Sequence, residues 1–259
     1  MRYACMLLIT LLLCPVAASA DEEPNIEFFY PLVTRRPVIE REIEFAFQHS
    51  KSLEGYLSQV SGAIEWPLTP WWQIELEMPF VIQNPTDLPT TAGPGDLEIQ
   101  NKFQLLKSVQ HPALLAGGFE IRLPSGSEKR LLGGEFAIEP FLTGGVAVGP
   151  LDVLADIAYE WNLNNVRGQN EQELTANLAV GWPASRWFTP LLELNTVTMV
   201  QGPQDEDSPK LRDRTQVYLT PGFNVHPLPG MTFRAGVQLP TSAAKTFDYQ
   251  VRAGLVWEF

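Results

Sequence analysis

Residues 247–259, FDYQVRAGLVWEF, constrain the fold of this chain more than any other stretch. Phe247, Tyr249, Val251, Ala253, Leu255, Trp257 and Phe259 fall on one face of an extended strand, and Asp248, Gln250, Arg252, Gly254 and Glu258 on the other. Only Val256 breaks the alternation. In a soluble domain a terminal strand frays into water, and an apolar stripe on it promotes aggregation. One apolar and one polar face suit a strand with lipid on one side and a lumen on the other.

The same two-residue period runs back to residue 40. Ile43, Phe45 and Phe47 alternate with Glu42, Glu44 and Gln48, while Trp72, Ile74, Leu76, Met78, Phe80 and Ile82 alternate with Gln73, Glu75, Glu77, Pro79 and Val81. Continued to the end, the pattern predicts twelve strands. Their connections alternate in length: residues 84–95, 125–134, 162–172 and 201–213 are long, whereas 67–70, 149–150 and 183–186 are tight. A soluble sandwich has no reason to alternate its loops. The expected fold is therefore all-β, a transmembrane antiparallel up-and-down β-barrel of about 12 strands with N and C termini periplasmic. Its last strand must pair with its first. Trp66, Trp72, Trp182, Trp187, Trp257 and Phe259 all fall at the end carrying the short turns, where amphipathic rings would mark the membrane interface.

The start of the chain agrees with export. Arg2, the apolar run 6–13 and the small residues Ala18-Ser19-Ala20 form a secretory signal peptide over residues 1–20, too short to span a bilayer as a helix. Both cysteines, Cys5 and Cys14, lie within it, so the mature chain is expected to lack disulfides. Residues 21–39, containing Phe28-Phe29-Tyr30-Pro31 and Arg35-Arg36, are expected as a periplasmic lead-in, and residues 40–259 as the outer-membrane barrel. The formal net charge of -12 argues against nucleic acid as a partner.

The inward faces concentrate carboxylates. Residues expected to line a pore are Glu75, Glu77, Glu98, Lys102, Glu120, Arg122, Asp156, Glu160, Arg234 and Arg252, with Asp248 also in the charged lining. So many like charges need water, cations, bases or shared protons to coexist. An open interior of this kind favours cations over anions. A closed lumen, its acids paired with arginine and backbone donors, is the alternative. An enzyme is not expected: of His49, His111 and His226, only His49 falls at the outer end, and the adjacent Ser50 points to the opposite face. No metal-ligand spacing or phosphate-binding loop is present, and no cofactor is implied.

The terminal strand ending in Phe resembles the sorting signal of bacterial outer-membrane barrels. Gly95-Asp96-Leu97-Glu98 with Asn101-Lys102-Phe103, then Leu123-Pro124-Ser125-Gly126-Ser127, and later Thr220-Pro221-Gly222, resemble the barrels grouped under the label MetA-pathway of phenol degradation. Ser125 stands where threonine is expected. The resemblance implies a transporter-like channel for uptake or efflux of small, including aromatic, compounds, and it carries no binding residues to transfer. The expected function is an outer-membrane channel for passive or gated passage of small solutes through an acidic lumen. The rivals are a closed structural or surface-interaction barrel and an outer-membrane lipid-modifying enzyme. Expected partners are outer-membrane lipids and lipopolysaccharide, the barrel-assembly machinery and a small-molecule solute.

Overall fold

The first and last strands close the molecule on itself. In the computed structural model, which describes residues 26–164, 171–202 and 214–259, β1 (Glu42–Ser52) pairs antiparallel with β13 (Tyr249–Glu258) from Glu42↔Glu258 to Lys51↔Tyr249. The expected signal peptide, and most of the expected loops at 162–172 and 201–213, lie outside the described residues.

From β1 the chain meanders through β2 (Gly55–Thr69), β3 (Trp72–Pro85), β4 (Thr91–Pro94), β5 (Leu97–Ser108), β6 (Ala113–Leu123) and β7 (Ala137–Val148). It continues through β8 (Leu151–Asn162), β9 (Gln172–Gly181), β10 (Phe188–Gln201), β11 (Thr215–Leu228) and β12 (Met231–Pro240) to β13. β4 is a short strand in the first long loop that pairs with the C-terminal part of β3. The other twelve form a closed antiparallel barrel in chain order. Closure leaves no exposed sheet edge, which is what permits so much apolar surface on the outside.

The turns explain the registers. β7 and β8 are joined by two residues, Gly149-Pro150, with Val148 opposite Leu151 and Gly149 at φ 60°. That hairpin geometry strains residues with a Cβ, and glycine relieves it. Gly230, at φ 69°, does the same between β11 and β12. The turns after β2, β5, β7, β9 and β11 lie at one end, with the start of β1 and the end of β13, hereafter the short-turn end; the long loops lie at the other, together with one tight turn, Leu53-Glu54 between β1 and β2.

Side chains alternate as the sequence predicts. Phe45, Phe47, Leu76, Met78, Phe80, Leu192, Leu194 and Leu255 are exposed on the outer wall, while Gln73, Asp156, Glu193, Thr220 and Gln250 are buried inside it. The core, however, is not made by the wall alone. The residues expected as a periplasmic lead-in run, from residue 26 onward, through the barrel interior. Phe28, Phe29, Tyr30, Leu32 and Val38 are all buried there, and Ile26, Phe28, Phe29, Leu32 and Val38 form one apolar cluster with inward-facing Leu114, Leu154, Ala179 and Leu191. The physical reason is that an FFY run left in water would expose apolar area that the lumen can bury, at about 1.5–3 kcal/mol per large side chain.

Candidate functional site

The wall is shaped for that segment. A Cβ on Gly181 would lie 2.3 Å from the Phe29 ring, and one on Gly145 would lie 2.7 Å from the Phe28 ring. Gly222 and Gly236 together form a socket for Leu32, whose Cδ1 would meet a Cβ on either at 2.4 and 2.3 Å. Glycine at these inward positions is thus the absence of a side chain where the segment needs the space.

Polar side chains of the wall then bind the segment's backbone, which has no strand partner of its own. Asn224 accepts from Tyr30 N and donates to Tyr30 O, both at 2.8 Å. Glu193 accepts from Leu32 N (2.5 Å), Thr34 N (2.8 Å) and Thr34 Oγ1 (2.7 Å). Asp156 accepts from Arg35 N at 2.9 Å, Thr143 Oγ1 donates to Arg35 O at 2.7 Å, and Gln73 accepts from Glu40 N at 2.8 Å. Arg234 donates to Pro31 O, and Arg252 to Leu32 O at 3.3 Å. Buried backbone groups left unpaired cost about as much as a lost hydrogen bond, so these contacts are the condition for a non-strand segment to lie inside.

The carboxylates have an order that spacing alone did not show. Glu258 is opposite Glu42, Glu42 is opposite Glu65, and Glu65 is opposite Glu75. Gln100 follows, then Glu120 and Glu139. Beyond them Glu160 is opposite Glu173. Because barrel strands tilt, this cross-strand row climbs as a spiral from the short-turn end at β13 to the long-loop end at β9. Like charges directly opposite destabilise a sheet, so the row needs cations.

Two sources supply them. From the wall, Lys102 pairs with Glu65 (3.2 Å), Arg234 with Glu44, and Arg122 with Glu98 (3.0 Å), Glu135 (3.1 Å) and Glu160 (3.0 Å). From the segment, Arg35 pairs through Nη2 with Glu120 (3.2 Å) and with Glu139. Arg36 pairs with Glu40, lies 3.8 Å from Glu42, and stacks its guanidinium 3.8 Å above the Tyr30 ring. The Tyr30 hydroxyl reaches Glu42 at 2.8 Å and also Glu258. The oxygens of Glu40, Glu42 and Glu258 lie within 4.8 Å of one another, a cluster whose cation is Arg36.

Two cavities flank the segment. One of about 430 Å³ is lined by Glu75, Glu77, Glu98 and Glu120, and by Lys102, Arg122, Arg234 and Arg252. The second, of about 390 Å³, adjoins the turn residues Trp187, His226 and Gly230 at the short-turn end. Tyr30 and Arg36 belong to both walls. Of the other residues singled out from the sequence, Asp156 is buried against the segment, and Glu160 is held by Arg122. Asp248 lies just before β13 at the long-loop rim, partly exposed, and pairs there with Lys245, whose Nζ donates at 2.7 Å, rather than within the charged lining. That hydrogen bond lowers its pKa.

The aromatic residues at the short-turn end make two separate groups of ring contacts. Trp66 and Trp257 lie 6.2 and 6.1 Å from Phe259, and Trp72 stacks on Phe103 at 6.0 Å. Trp182 and Trp187 are exposed on the same rim. The residues quoted for the family resemblance have structural roles: Asp96 accepts backbone N–H groups from Gly126 (2.8 Å), Gly134 (2.8 Å) and Glu135 (2.9 Å), tying two long loops together. His49 does not meet Ser50 but shares a 2.8 Å hydrogen bond with Ser58 across the β1–β2 pair.

No family model matches the chain, and no curated protein matches it. Solved structures do. An outer membrane channel from Pseudomonas putida F1 superposes with a TM-score of 0.71 at 13% identity, over 90% of this chain and 100% of that one. The NanC porin gives 0.57 at 9% identity over 85% and 100%, and the KdgM porin 0.55 at 10% identity over 84% and 99%. At such identities the likeness concerns architecture. The chain has the closed twelve-stranded antiparallel fold of outer-membrane barrel channels.

Proposed function

We propose that this protein is an outer-membrane channel passing small solutes, with cations favoured over anions, through a lumen that its own N-terminal segment narrows. The observation that carries the reading is the pair of cavities on either side of the segment, which share Tyr30 and Arg36 in their walls. Structures named as channels and porins share the architecture, which supports the same reading. In it, residues 1–20 are cleaved on export, both termini face the periplasm, and Trp66, Trp72, Trp182, Trp187, Trp257 and Phe259 sit at the membrane interface among lipids. Lipopolysaccharide flanks the long-loop end, and the barrel-assembly machinery inserts the chain.

Passage requires the segment to shift, so the channel is gated. The resemblance to phenol-pathway barrels adds small aromatic compounds as candidates, but the carboxylate lining supports charged solutes better. A planar bilayer measurement tests the reading. Stepwise conductance with a reversal potential towards the cation equilibrium is expected. Silence at every voltage would establish the closed structural barrel, and anion preference would overturn the electrostatic part.

A further inference from the structure

The spiral of carboxylates holds cations that do not belong to the wall. Lys102 and Arg122 are fixed on strands, but Arg35 sits on a segment kept in place by side-chain contacts. Its guanidinium bridges Glu120 on β6 and Glu139 on β7, two carboxylates that are direct cross-strand partners. It also packs 4.9 Å from the Phe141 ring. A carboxylate pair with an aromatic face beside it is the chemistry that recognises a guanidinium or ammonium group. Here that group is present, supplied by the chain itself.

We infer that Glu120 and Glu139 form a binding site for the cationic head of an external solute, and that Arg35 occupies it as an internal stand-in. The cavity of about 430 Å³ starts at this pair and continues to Glu75, Glu77 and Glu98, which offers a second place for positive charge. The ligand class is therefore a short, linear dication with guanidinium or amine ends. A neutral aromatic leaves the carboxylates unsatisfied, and an anion is repelled. The inference rests on the channel reading for the route by which a solute arrives, and the binding test does not depend on conduction.

Agmatine, a guanidinium and an ammonium on one flexible chain, is the probe, titrated calorimetrically into the folded protein in detergent at constant ionic strength. Arg35→Gln empties the site and is expected to tighten agmatine binding about tenfold, as expected for a regained charge-assisted pair. Adding Glu120→Gln and Glu139→Gln should abolish the gain. Equal affinity of wild type and Arg35→Gln overturns the inference, as does tight binding that survives loss of both carboxylates. Each variant is first shown folded by its unboiled gel mobility.

If Arg35→Gln does not fold, Val33→Cys in the otherwise native chain keeps the question open to a decision. Agmatine should accelerate maleimide labelling of that half-buried position several-fold by displacing the segment, and potassium chloride at equal ionic strength should not. An unchanged rate overturns displacement. Agmatine binding without conductance leaves the site and removes the channel reading; conductance without agmatine binding does the reverse.

Discussion

Glu193 shows how much one side chain can organise. Its carboxylate accepts from the backbone amides of Leu32, Val33 and Thr34 and from the Thr34 hydroxyl, all of them buried or half-buried. Glu193→Ala strands those donors, at roughly 1–3 kcal/mol for a hydrogen bond to a charged group. Amide exchange at residues 32–34 should therefore speed up on the order of a hundredfold, while the strands stay protected. Unchanged exchange would mean that the segment's other contacts hold it without Glu193. Asp96 is a second such residue, and Asp96→Ala is expected to expose residues 124–136 to proteases without altering the strands, measured by limited proteolysis. The sequence singles out Asp96 through its neighbours but cannot show its role, since its amide partners lie 30 to 39 residues further on.

At the scale of elements, strands and interior segment differ in what a sequence can reveal. A strand's two faces are written in consecutive residues, so β3 or β13 can be read without knowing its neighbours. The spiral order of the carboxylates depends on register, and the seat of residues 26–41 depends on side chains scattered over β3, β7, β8 and β10 to β13. The signal that could have revealed the segment was present as exceptions. Leu114, Leu154, Leu191 and Val256 are apolar on faces that are otherwise polar, and all are buried. Each falls in the half of its strand nearer the short turns, so an inward patch needed an apolar partner. Filling a socket should expel that partner: Gly181→Val is expected to leave the barrel folded, with its heat-dependent gel shift intact, while residues 26–41 become accessible to labelling. Labelling at the native rate would show that the wall yields instead.

For the whole molecule, the outer apolar wall and the charged interior make separable demands. Phe259 donates its backbone N–H to Arg41 O at 3.2 Å and packs with Trp66 and Trp257 at the rim. Its deletion should reduce the fraction of chains giving the fast-migrating unboiled band, before any change in conductance per folded channel. A normal folded fraction would show that the rim aromatics are dispensable for assembly.

The segment inside the barrel also connects the extremes of the chain. Tyr30 binds Asn224, 194 residues away, and reaches Glu258, 228 residues away; Pro31 is bound by Arg234. It leads directly into β1, while much of its grip is on β10 to β13, the strands that must come round to meet β1. Joining two ends of a long chain carries a loop-closure entropy, and a tether that holds them near each other raises their effective concentration. On this argument residues 26–41 are expected to speed closure of the seam during assembly. A chain lacking them should close its seam more slowly, even if the barrel it finally reaches is the same.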